Sequence, residues 1–336
     1  MVKEIEGKFN VGDTSLYTKT WLPDDPITNT KAKLVFVHGF SDHVGRYYGF
    51  FPHLARSGIA VYAFDQRGWG QSVSRPADRG HSGPTATVLS DIAAFIKGSA
   101  LPAEPTGAPL FVMGHSMGGG EVLALASTPE YEEGIVSRVR GWVLEAPFID
   151  FPPAARPGAL KVFAGRLAGR VLPRVKLANP IPPEDLTRDP AVVQSLRDDD
   201  LCHDTGTLEG LAALLDRTAE LAAGRYRLSP RVRSLWLGHG DMDKATCFDA
   251  SRAWFDRQGQ IPDREFKKYE GAYHQLHADT GREEFYADVE RWILARCGDE
   301  PAEAAAEDAA QDGGAAPKES EAAQAQGGGD KVGSKL

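Results

Sequence analysis

Short apolar runs bounded by turn residues recur along the first 150 positions and again after about position 230. Their length and their β-branched and aromatic content predict buried strands at Leu34–Val37, Ile59–Phe64, Leu110–Met113, Trp142–Leu144, Ser234–Leu237 and Glu265–Tyr269. Apolar residues at helical spacing predict helices at Tyr47–Arg56, Thr87–Ile96, Gly119–Ser127 and Phe285–Ala295. Two further strands, Glu4–Asn10 and Ser15–Leu22, flank a Val-Gly-Asp turn and predict an edge hairpin. This alternation predicts an α/β fold with a mostly parallel central sheet and helices on both faces.

The pattern changes between Pro147 and about Pro230, where strand signals stop and prolines become frequent. Helical spacing in this region predicts helices at Ala159–Leu172, Ala191–Leu196 and Leu208–Ala223. We interpret the region as a helical cap inserted into the fold; the alternative is a set of extra helices packed on the sheet edge. The predicted domains are a core formed by 1–150 and 230–297, a cap at 151–229 and a tail at 298–336.

The tail differs from the rest of the chain in composition and charge. It is rich in Ala, Gly, Glu, Asp and Gln, with almost no large apolar side chain to bury, which predicts disorder. It also carries −6 of the net charge of −9, so the remainder is near −3 and has no basic face for nucleic acid. The amino terminus is charged, so we expect no secretory signal. No run approaches about 18 apolar residues, so we expect no membrane span. Three cysteines without metal-type spacing predict reduced thiols and no disulfide framework.

The sequence Gly114-His115-Ser116-Met117-Gly118 follows a predicted strand directly and precedes a helix rich in small residues. Gly-x-Ser-x-Gly in this context is a nucleophile elbow, a sharp turn that presents the serine hydroxyl at the carboxyl edge of the sheet. The turn also directs the amide of Met117, at a helix amino terminus, towards a substrate carbonyl oxygen. We therefore predict Ser116 as a nucleophile.

A serine hydroxyl needs a histidine base that is oriented by a carboxylate, and in chains with such an elbow the order is Ser, acid, His. Asp243 follows one predicted strand and His274 follows the next, so both lie at the same sheet edge as Ser116. Asp241 is the alternative acid and His277 the alternative base. The second oxyanion donor is expected in the loop after Leu34–Val37, where the amide of Phe40 is the candidate.

The run Asp65–Ser72 is rich in glycine but lacks the Lys-Ser/Thr pair and the spacing of phosphate-binding loops. We interpret it as a structural turn that contains an Asp–Arg pair.

Together these motifs resemble the monoglyceride lipase and lysophospholipase-like branch of the α/β-hydrolases, especially its fungal members, over roughly residues 5–297. The residues that carry the resemblance are His38-Gly39-Phe40, Asp42-His43, Gly45-Arg46-Tyr47, the Asp65–Ser72 run, Gly114–Gly119, Asn179-Pro180, Pro183–Pro190 and Tyr269–His277.

The resemblance implies an α/β-hydrolase fold, a Ser116–Asp243–His274 triad and a mobile apolar cap that holds the acyl chain. It also implies that Asp42, Arg46 and His277 surround a glycerol head group, unless they are loop ion pairs unrelated to substrate. Some relatives have a reactive cysteine three residues after the catalytic Asp; here that position is Thr246 and Cys247 is one further.

The last three residues, Ser334-Lys335-Leu336, form the tripeptide that a peroxisomal import receptor recognises, and the flexible tail would make it accessible. We therefore expect a peroxisomal location and contact with that receptor. This expectation does not select a substrate.

The activity that fits all these features is hydrolysis of a lipid ester, most simply of a monoacylglycerol to fatty acid and glycerol, with no metal or organic cofactor. Alternatives are a lysophospholipase, or a peroxisomal acyl-CoA thioesterase or acyltransferase, for which Arg166, Arg170, Arg174 and Lys176 could bind the CoA phosphates. A non-catalytic binding protein on the same fold is disfavoured by the intact set of three residues. The expected partners are a small lipid ester, the import receptor and a membrane surface touched transiently by the cap.

Overall fold

An eight-stranded sheet forms the centre of the fold, and a separate two-stranded sheet lies in the inserted region. The computed structural model describes residues 1–101 and 107–298. The strands are β1 (Lys3–Val11), β2 (Thr14–Leu22), β3 (Ala32–Val37), β4 (Ile59–Phe64), β5 (Leu110–His115), β6 (Val139–Glu145), β7 (Lys176–Ala178), β8 (Thr205–Thr207), β9 (Ser234–Gly240) and β10 (Asp263–Tyr269). The large sheet has the order β1-β2-β4-β3-β5-β6-β9-β10. β1 and β2 pair antiparallel, β2 pairs antiparallel with β4, and all other neighbours are parallel.

Ten α-helices connect or flank these strands. They are α1 (Pro26–Asn29), α2 (Phe50–Arg56), α3 (Thr85–Phe95), α4 (Met117–Ala126), α5 (Ala159–Val171), α6 (Pro183–Leu186), α7 (Pro190–Arg197), α8 (Leu208–Ala222), α9 (Phe248–Asp256) and α10 (Arg282–Leu294) among the described residues. No helix in this part of the chain is both long and apolar enough to cross a bilayer.

The two faces of the sheet are covered by different helices, which explains the uninterrupted apolar character of the inner strands. In β3, Val35 and Val37 pack with residues of α3 and α4, whereas Leu34 and Phe36 pack with residues of α2 and α10. All six residues of β3 are buried. A parallel strand covered on both faces has no solvent side to carry polar residues. The predicted fold class, a mostly parallel sheet between two helical layers, is thus confirmed.

The segment between β6 and β9 contains α5, α6, α7, α8 and the small antiparallel sheet of β7 and β8. Contacts within residues 1–297 are dense enough to form one compact unit. The division of that unit into a core and a separate cap remains a prediction. The tail from 299 onward, with the terminal Ser334-Lys335-Leu336, lies outside the described residues.

Several local features differ from the sequence-based expectation. The short strands β7 and β8 lie in the inserted segment, where the sequence pattern shows no strand signal. The helix α9 was not predicted, because its apolar residues are few and separated by charged ones. In the Asp65 turn, Arg67 does not pair with Asp65: it pairs with Asp91 of α3 at 2.7 Å. Asp65 instead accepts hydrogen bonds from the amides of Val44 and Gln71, at 2.8 and 2.7 Å, and so closes the turn from within.

Candidate active site

Ser116 lies at the turn between β5 and α4 and has an unusual backbone conformation. Its φ is +54° and its ψ is −119°, a combination that costs energy for a residue with a side chain. Backbone hydrogen bonds hold it there: its amide donates to the Glu145 carbonyl at 3.0 Å, and its carbonyl accepts from the Phe148 amide at 2.8 Å. The neighbouring strand β6 and the segment after it therefore fix the serine from one side.

The glycines of the elbow are required by close packing. A Cβ on Gly118 would collide with the Val37 and His38 carbonyl oxygens, and one on Gly114 would collide with the Gly118 backbone. The nearest atoms at both positions belong to the backbone, which cannot move away as a flexible side chain could. Strand and helix can approach this closely only because these positions lack a side chain.

Asp243 follows β9 and is surrounded by hydrogen-bond donors. Its Oδ2 accepts from the Thr246 hydroxyl at 2.8 Å and lies 2.8 Å from His274 Nδ1 and 2.9 Å from His239 Nε2. Its Oδ1 accepts from the amides of Ala245 and Thr246 at 2.7 and 2.9 Å. Burial alone would raise the pKa of Asp243, but the charges and hydrogen bonds of the two histidines hold it well below its usual range. The group is a carboxylate at neutral pH.

His274 follows β10. Its ring contacts the Asp243 carboxylate and lines the cavity beside Ser116. Burial works to lower the pKa of His274, but the adjacent Asp243 carboxylate, helped by Glu145 and Asp42, raises it above its ordinary value. Ser116 and His274 line one cavity of about 50 Å³. Because Nδ1 of the imidazole faces Asp243, its other nitrogen is the one left for a substrate or a hydroxyl.

The cavity is lined by residues of the inserted segment and of the loop after β3. Apolar side chains from the inserted segment line one side: Ile181, Pro183, Leu186 and Leu196. Gly39, Phe40, Ser41 and Asp42 line another side.

Of the two predicted oxyanion donors, Phe40 lines the cavity, and Met117 directly follows Ser116 at the start of α4. No protein acceptor in the described part of the chain takes a hydrogen bond from the Phe40 amide. Met117 begins α4, and the first amides of a helix have no acceptor within it. Both are therefore available as donors to a ligand.

The alternative acid and base occupy other positions. Asp241 Oδ1 accepts from the Gly271 amide at 2.6 Å, which ties the loop after β9 to the loop after β10. His277 has no contact with Asp243; its Nδ1 lies 2.8 Å from Glu145 Oε1. Neither Asp241 nor His277 therefore takes part in a carboxylate–histidine contact at the cavity.

The residues expected around a head group are all buried, and only one of the three, Asp42, lines the cavity. Asp42 lines the cavity and accepts from the Tyr47 hydroxyl at 2.7 Å. Burial works to raise the pKa of Asp42, but the neighbouring His115 ring and the Tyr47 hydroxyl lower it below its usual range. Arg46 donates from Nη1 to Asp199 Oδ2 at 3.2 Å, and its Nε and Nη2 have no partner among the described residues.

His277 is fully buried and is not among the residues that line the cavity. A head-group role for Asp42, Arg46 and His277 stays a prediction.

Three residues in contact with this site were not singled out by sequence reasoning. His239, near the end of β9, contacts the Asp243 carboxylate from four positions earlier in the chain. Thr246 was noted only for not being cysteine, and Glu145, the last residue of β6, was not considered. The sequence signal that could have identified Glu145 is a charged residue at the end of a buried strand, at the functional edge of the sheet. Burial works to raise the pKa of Glu145, but His277 and His115 lower it.

Comparison with known proteins identifies the family. Residues 28–281 match the profile of the Hydrolase_4 family, described as serine aminopeptidase, S33. A Schizosaccharomyces pombe protein that is provisionally named a monoglyceride lipase is 34% identical over 286 residues, which cover 83% of this chain and 71% of that protein. A monoacylglycerol lipase of Mycolicibacterium smegmatis is 28% identical over 284 residues, or 84% of this chain and 94% of that protein.

A solved structure agrees at the level of the fold. A soluble variant of Saccharomyces cerevisiae monoglyceride lipase, in complex with a substrate analogue, superposes with a TM-score of 0.79 at 21% identity, over 89% of this chain and 97% of that one. The resemblance inferred from the motifs is confirmed. The chain belongs to the Hydrolase_4 family of the α/β-hydrolase superfamily, among relatives of the monoglyceride lipases, and is a carboxylic ester hydrolase.

Proposed function

We propose that this ester hydrolase cleaves monoacylglycerols to fatty acid and glycerol, with Ser116, His274 and Asp243 as its catalytic triad. The observation that carries the proposal is the 2.8 Å contact between His274 Nδ1 and Asp243 Oδ2, with the His274 ring and Ser116 on one cavity. Relatives named monoacylglycerol and monoglyceride lipases support the substrate class.

In the proposed mechanism, the Ser116 hydroxyl attacks the ester carbonyl while His274 takes its proton, and Asp243 stabilises the resulting imidazolium. The amides of Phe40 and Met117 stabilise the oxyanion; losing one such donor typically costs about 3 kcal/mol. His274 then gives the proton to the leaving glycerol oxygen as the C–O bond breaks. Water, activated by the same histidine, hydrolyses the acyl-serine and releases the fatty acid.

The cavity is too small to hold a long acyl chain as it stands. At about 50 Å³ it is far below the roughly 300 Å³ or more typical of ligand sites. A long acyl chain therefore requires the apolar wall of Ile181, Leu186 and Leu196 to move. We include in the proposal that the inserted segment opens to admit substrate.

The outer surface of α5 supports contact with a lipid surface. Phe163, Leu167 and Val171 lie four residues apart along α5, which places them on one face, and their exposed fractions are 67%, 54% and 71%. Leu172 and Val175 continue the apolar surface beyond the helix. Such an exposed apolar patch is typical of a protein or membrane contact.

The nucleophile is tested by fluorophosphonate labelling of wild type and Ser116→Ala. Wild type should be labelled and the variant should not, because the probe forms its bond to the activated hydroxyl. A variant that is still labelled contradicts the assignment.

The substrate is tested by comparing monooleoylglycerol, a lysophospholipid and oleoyl-CoA, with Ser116→Ala as the blank for each. Monooleoylglycerol should give the highest kcat/KM. Faster turnover of oleoyl-CoA would favour a thioesterase. Of the four basic residues considered for that activity, Arg170 and Arg174 are exposed. The other two already have partners, since Arg166 pairs with Asp216 and Lys176 donates to the Pro76 carbonyl at 2.7 Å.

The lipid contact is tested by flotation with neutral phospholipid vesicles. Phe163→Ser with Leu167→Ser should reduce the bound fraction, whereas Ile27→Ser, an exposed apolar residue near the amino terminus, should not. Equal binding of all three proteins would contradict the proposed surface.

Peroxisomal import through Ser334-Lys335-Leu336 is also part of the proposal. A fluorescent protein fused to the amino terminus should label peroxisomes with the full chain and the cytosol after deletion of the tripeptide. Punctate peroxisomal signal from the deletion would contradict it.

A further inference from the structure

Glu145, the last residue of β6, contacts both parts of the chain that carry the proposed nucleophile and base. Its backbone carbonyl accepts a hydrogen bond from the Ser116 amide at 3.0 Å. Its side-chain oxygen Oε1 accepts from the His277 amide at 3.0 Å and lies 2.8 Å from His277 Nδ1. His277 comes three residues after His274 in the loop that follows β10. A single residue therefore connects the turn of the nucleophile to the loop of the base.

The side-chain contact of Glu145 restricts the backbone that carries His274. His277 is fully buried. Glu145 holds its amide, and its carbonyl accepts from the Tyr286 hydroxyl at 2.8 Å. Only two residues separate this anchor from His274. Asp243 orients the imidazole ring of His274, whereas the anchor at His277 restricts the main chain from which that ring projects.

Glu145 is also a negative charge at a position that water does not reach. Its side chain is 0% exposed. Burial works to raise the pKa of Glu145, but the contacts with His277 hold it below its usual range, so the group is a carboxylate at neutral pH. An apolar side chain of similar size would avoid the cost of burying a charge. Because buried ionised groups are concentrated at functional sites, the charge itself points to a role in the reaction.

The neighbouring ring of His115 does not cancel this charge. Burial holds the pKa of His115 below its ordinary value, so the ring is neutral at pH 7. The Tyr47 hydroxyl donates its one hydrogen to Asp42 Oδ2 at 2.7 Å. His115 Nδ1 lies 3.0 Å from the same hydroxyl oxygen and is therefore the donor in that contact.

The proposed base, His274, thus lies in the field of three carboxylates. Asp243 Oδ2 is 2.8 Å from its Nδ1, Glu145 acts from the end of β6, and Asp42 acts from the loop after β3. Burial works to lower the pKa of His274, but the three carboxylates, Asp243 most strongly, raise it. An imidazolium forms on His274 when it takes the Ser116 proton, so each of these charges favours the transition state.

We propose that Glu145 is a positioning residue of the ester hydrolysis: its contacts connect the Ser116 turn to the His274 loop, and its negative charge stabilises the His274 imidazolium. This role rests on the proposed assignments of Ser116 and His274. A purely structural role would need the contacts of Glu145 but not its charge, so the two can be separated by experiment.

Glu145→Gln removes the charge and keeps a side-chain oxygen that can accept from the His277 amide. The test is the pH dependence of kcat/KM for a short p-nitrophenyl ester. Without the charge, the neutral form of His274 persists to lower pH, so the pKa of the acid limb should fall by about 0.5–1 unit. The same change should lower kcat by about three- to tenfold with KM unchanged, because one pKa unit corresponds to about a tenfold loss of imidazolium stabilisation.

Asp91→Asn is the matched control, since it neutralises another buried carboxylate, one that pairs with Arg67 and lies in α3. It should give the wild-type profile. A wild-type acid limb in Glu145→Gln would overturn the proposal, whether or not kcat falls, because a loss of kcat alone assigns Glu145 to structure.

The outcome is independent of the natural substrate, because the ester contains no glycerol. It is also distinguishable from failure of the proposed triad. If Ser116→Ala resists fluorophosphonate labelling and the acid limb of Glu145→Gln is unshifted, only the role of Glu145 is wrong.

His277→Gln covers the case in which Glu145→Gln fails to fold, as judged by circular dichroism. It removes the ring that contacts Glu145 and leaves the carboxylate and the backbone amide in place. The loop of His274 then loses one of its two contacts with Glu145, so kcat should fall by at least about threefold with KM for the short ester unchanged. A folded His277→Gln with the kcat of wild type would overturn the proposal.

Discussion

Asp243 and Glu145 are two buried carboxylates at the same edge of the sheet, and each lies 2.8 Å from Nδ1 of a histidine. Their surroundings differ. Asp243 is approached by five donors shared between its two oxygens. Glu145 receives both of its donors on Oε1, and its Oε2 has no hydrogen-bond partner among the residues that the structure describes. The same carboxylate–imidazole contact thus supports two roles. The donors around Asp243 stabilise an anion that orients a base, whereas Glu145 uses its two contacts to tie the end of β6 to the loop after β10.

The largest expected difference between the two carboxylates is in catalysis. Asp243→Asn should lower kcat by about 10⁴-fold, because the amide no longer holds His274 in the tautomer that accepts a proton from Ser116. Glu145→Gln should lower kcat by no more than about tenfold, since Glu145 acts on His274 through its charge and not through a hydrogen bond. Steady-state hydrolysis of a p-nitrophenyl ester by both variants measures this. Equal losses would mean that the two clusters act as one unit.

The next effect is on stability. Tyr47→Phe should lower the free energy of unfolding by about 1–3 kcal/mol, because it leaves a buried donor on His115 and removes a donor from Asp42. Thr246→Val should cost only about 1 kcal/mol, because Asp243 keeps its four other donors. Urea unfolding of the two variants gives the comparison. A larger loss for Thr246→Val would contradict the idea that Asp243 has donors in surplus.

A smaller effect is expected from the second histidine on Asp243. His239 is fully buried and lies 2.9 Å from Asp243 Oδ2. His239→Gln should lower kcat about tenfold with KM unchanged, since the carboxylate loses a charge-assisted partner that helps to fix its orientation. His53→Gln, at a partly exposed ion pair with Glu290, is the matched control and should match wild type. A change in KM alone would assign His239 to binding rather than to positioning.

The smallest effect is the pH dependence of stability. The folded-state pKa of Asp243 is below its unfolded value of about 3.9, so its stabilisation is present above that value and is lost as the pH falls through and below about 4. In Asp243→Asn, the free energy of unfolding should therefore fall less steeply between about pH 5 and pH 3. The slope should decrease by at most about 1.4 kcal/mol per pH unit.

Asp204 contributes to the pH dependence of stability with the opposite sign. Burial raises its pKa in the folded state, so it costs stability as the pH rises through about 4 and above. Asp204→Asn should remove that cost. Urea unfolding at a series of pH values tests both variants. If both change the pH dependence of the free energy of unfolding in the same direction, the assigned pKa shifts of Asp243 and Asp204 are wrong.

The sequence was sufficient for the fold class and for the candidate nucleophile. Parallel strands buried on both faces form uninterrupted apolar runs, so each run ends visibly where the chain reaches the functional edge. Ser116, Asp243 and His274 each follow such a run, and their approximate positions could be deduced before the structure.

The partners of buried polar groups could not be deduced in the same way. Arg67 was expected to pair within its own turn but pairs with Asp91, because the choice depends on which helix packs over the turn. Glu145 is the last residue of β6 and His239 the last but one of β9, where the sequence shows only a polar residue at the end of an apolar run. Which of them meets Asp243 and which meets His277 is decided by strand order and register in the sheet.

The apolar face of α5 also affects how the purified protein can be handled. Phe163, Leu167 and Val171 expose contiguous hydrocarbon to water. Such a surface adsorbs to plastic, to air bubbles and to other copies of itself, and the loss grows as the sample is concentrated. A mild detergent below its critical micelle concentration should cover it, so recovery after concentration should rise with detergent for wild type and change little for Phe163→Ser with Leu167→Ser.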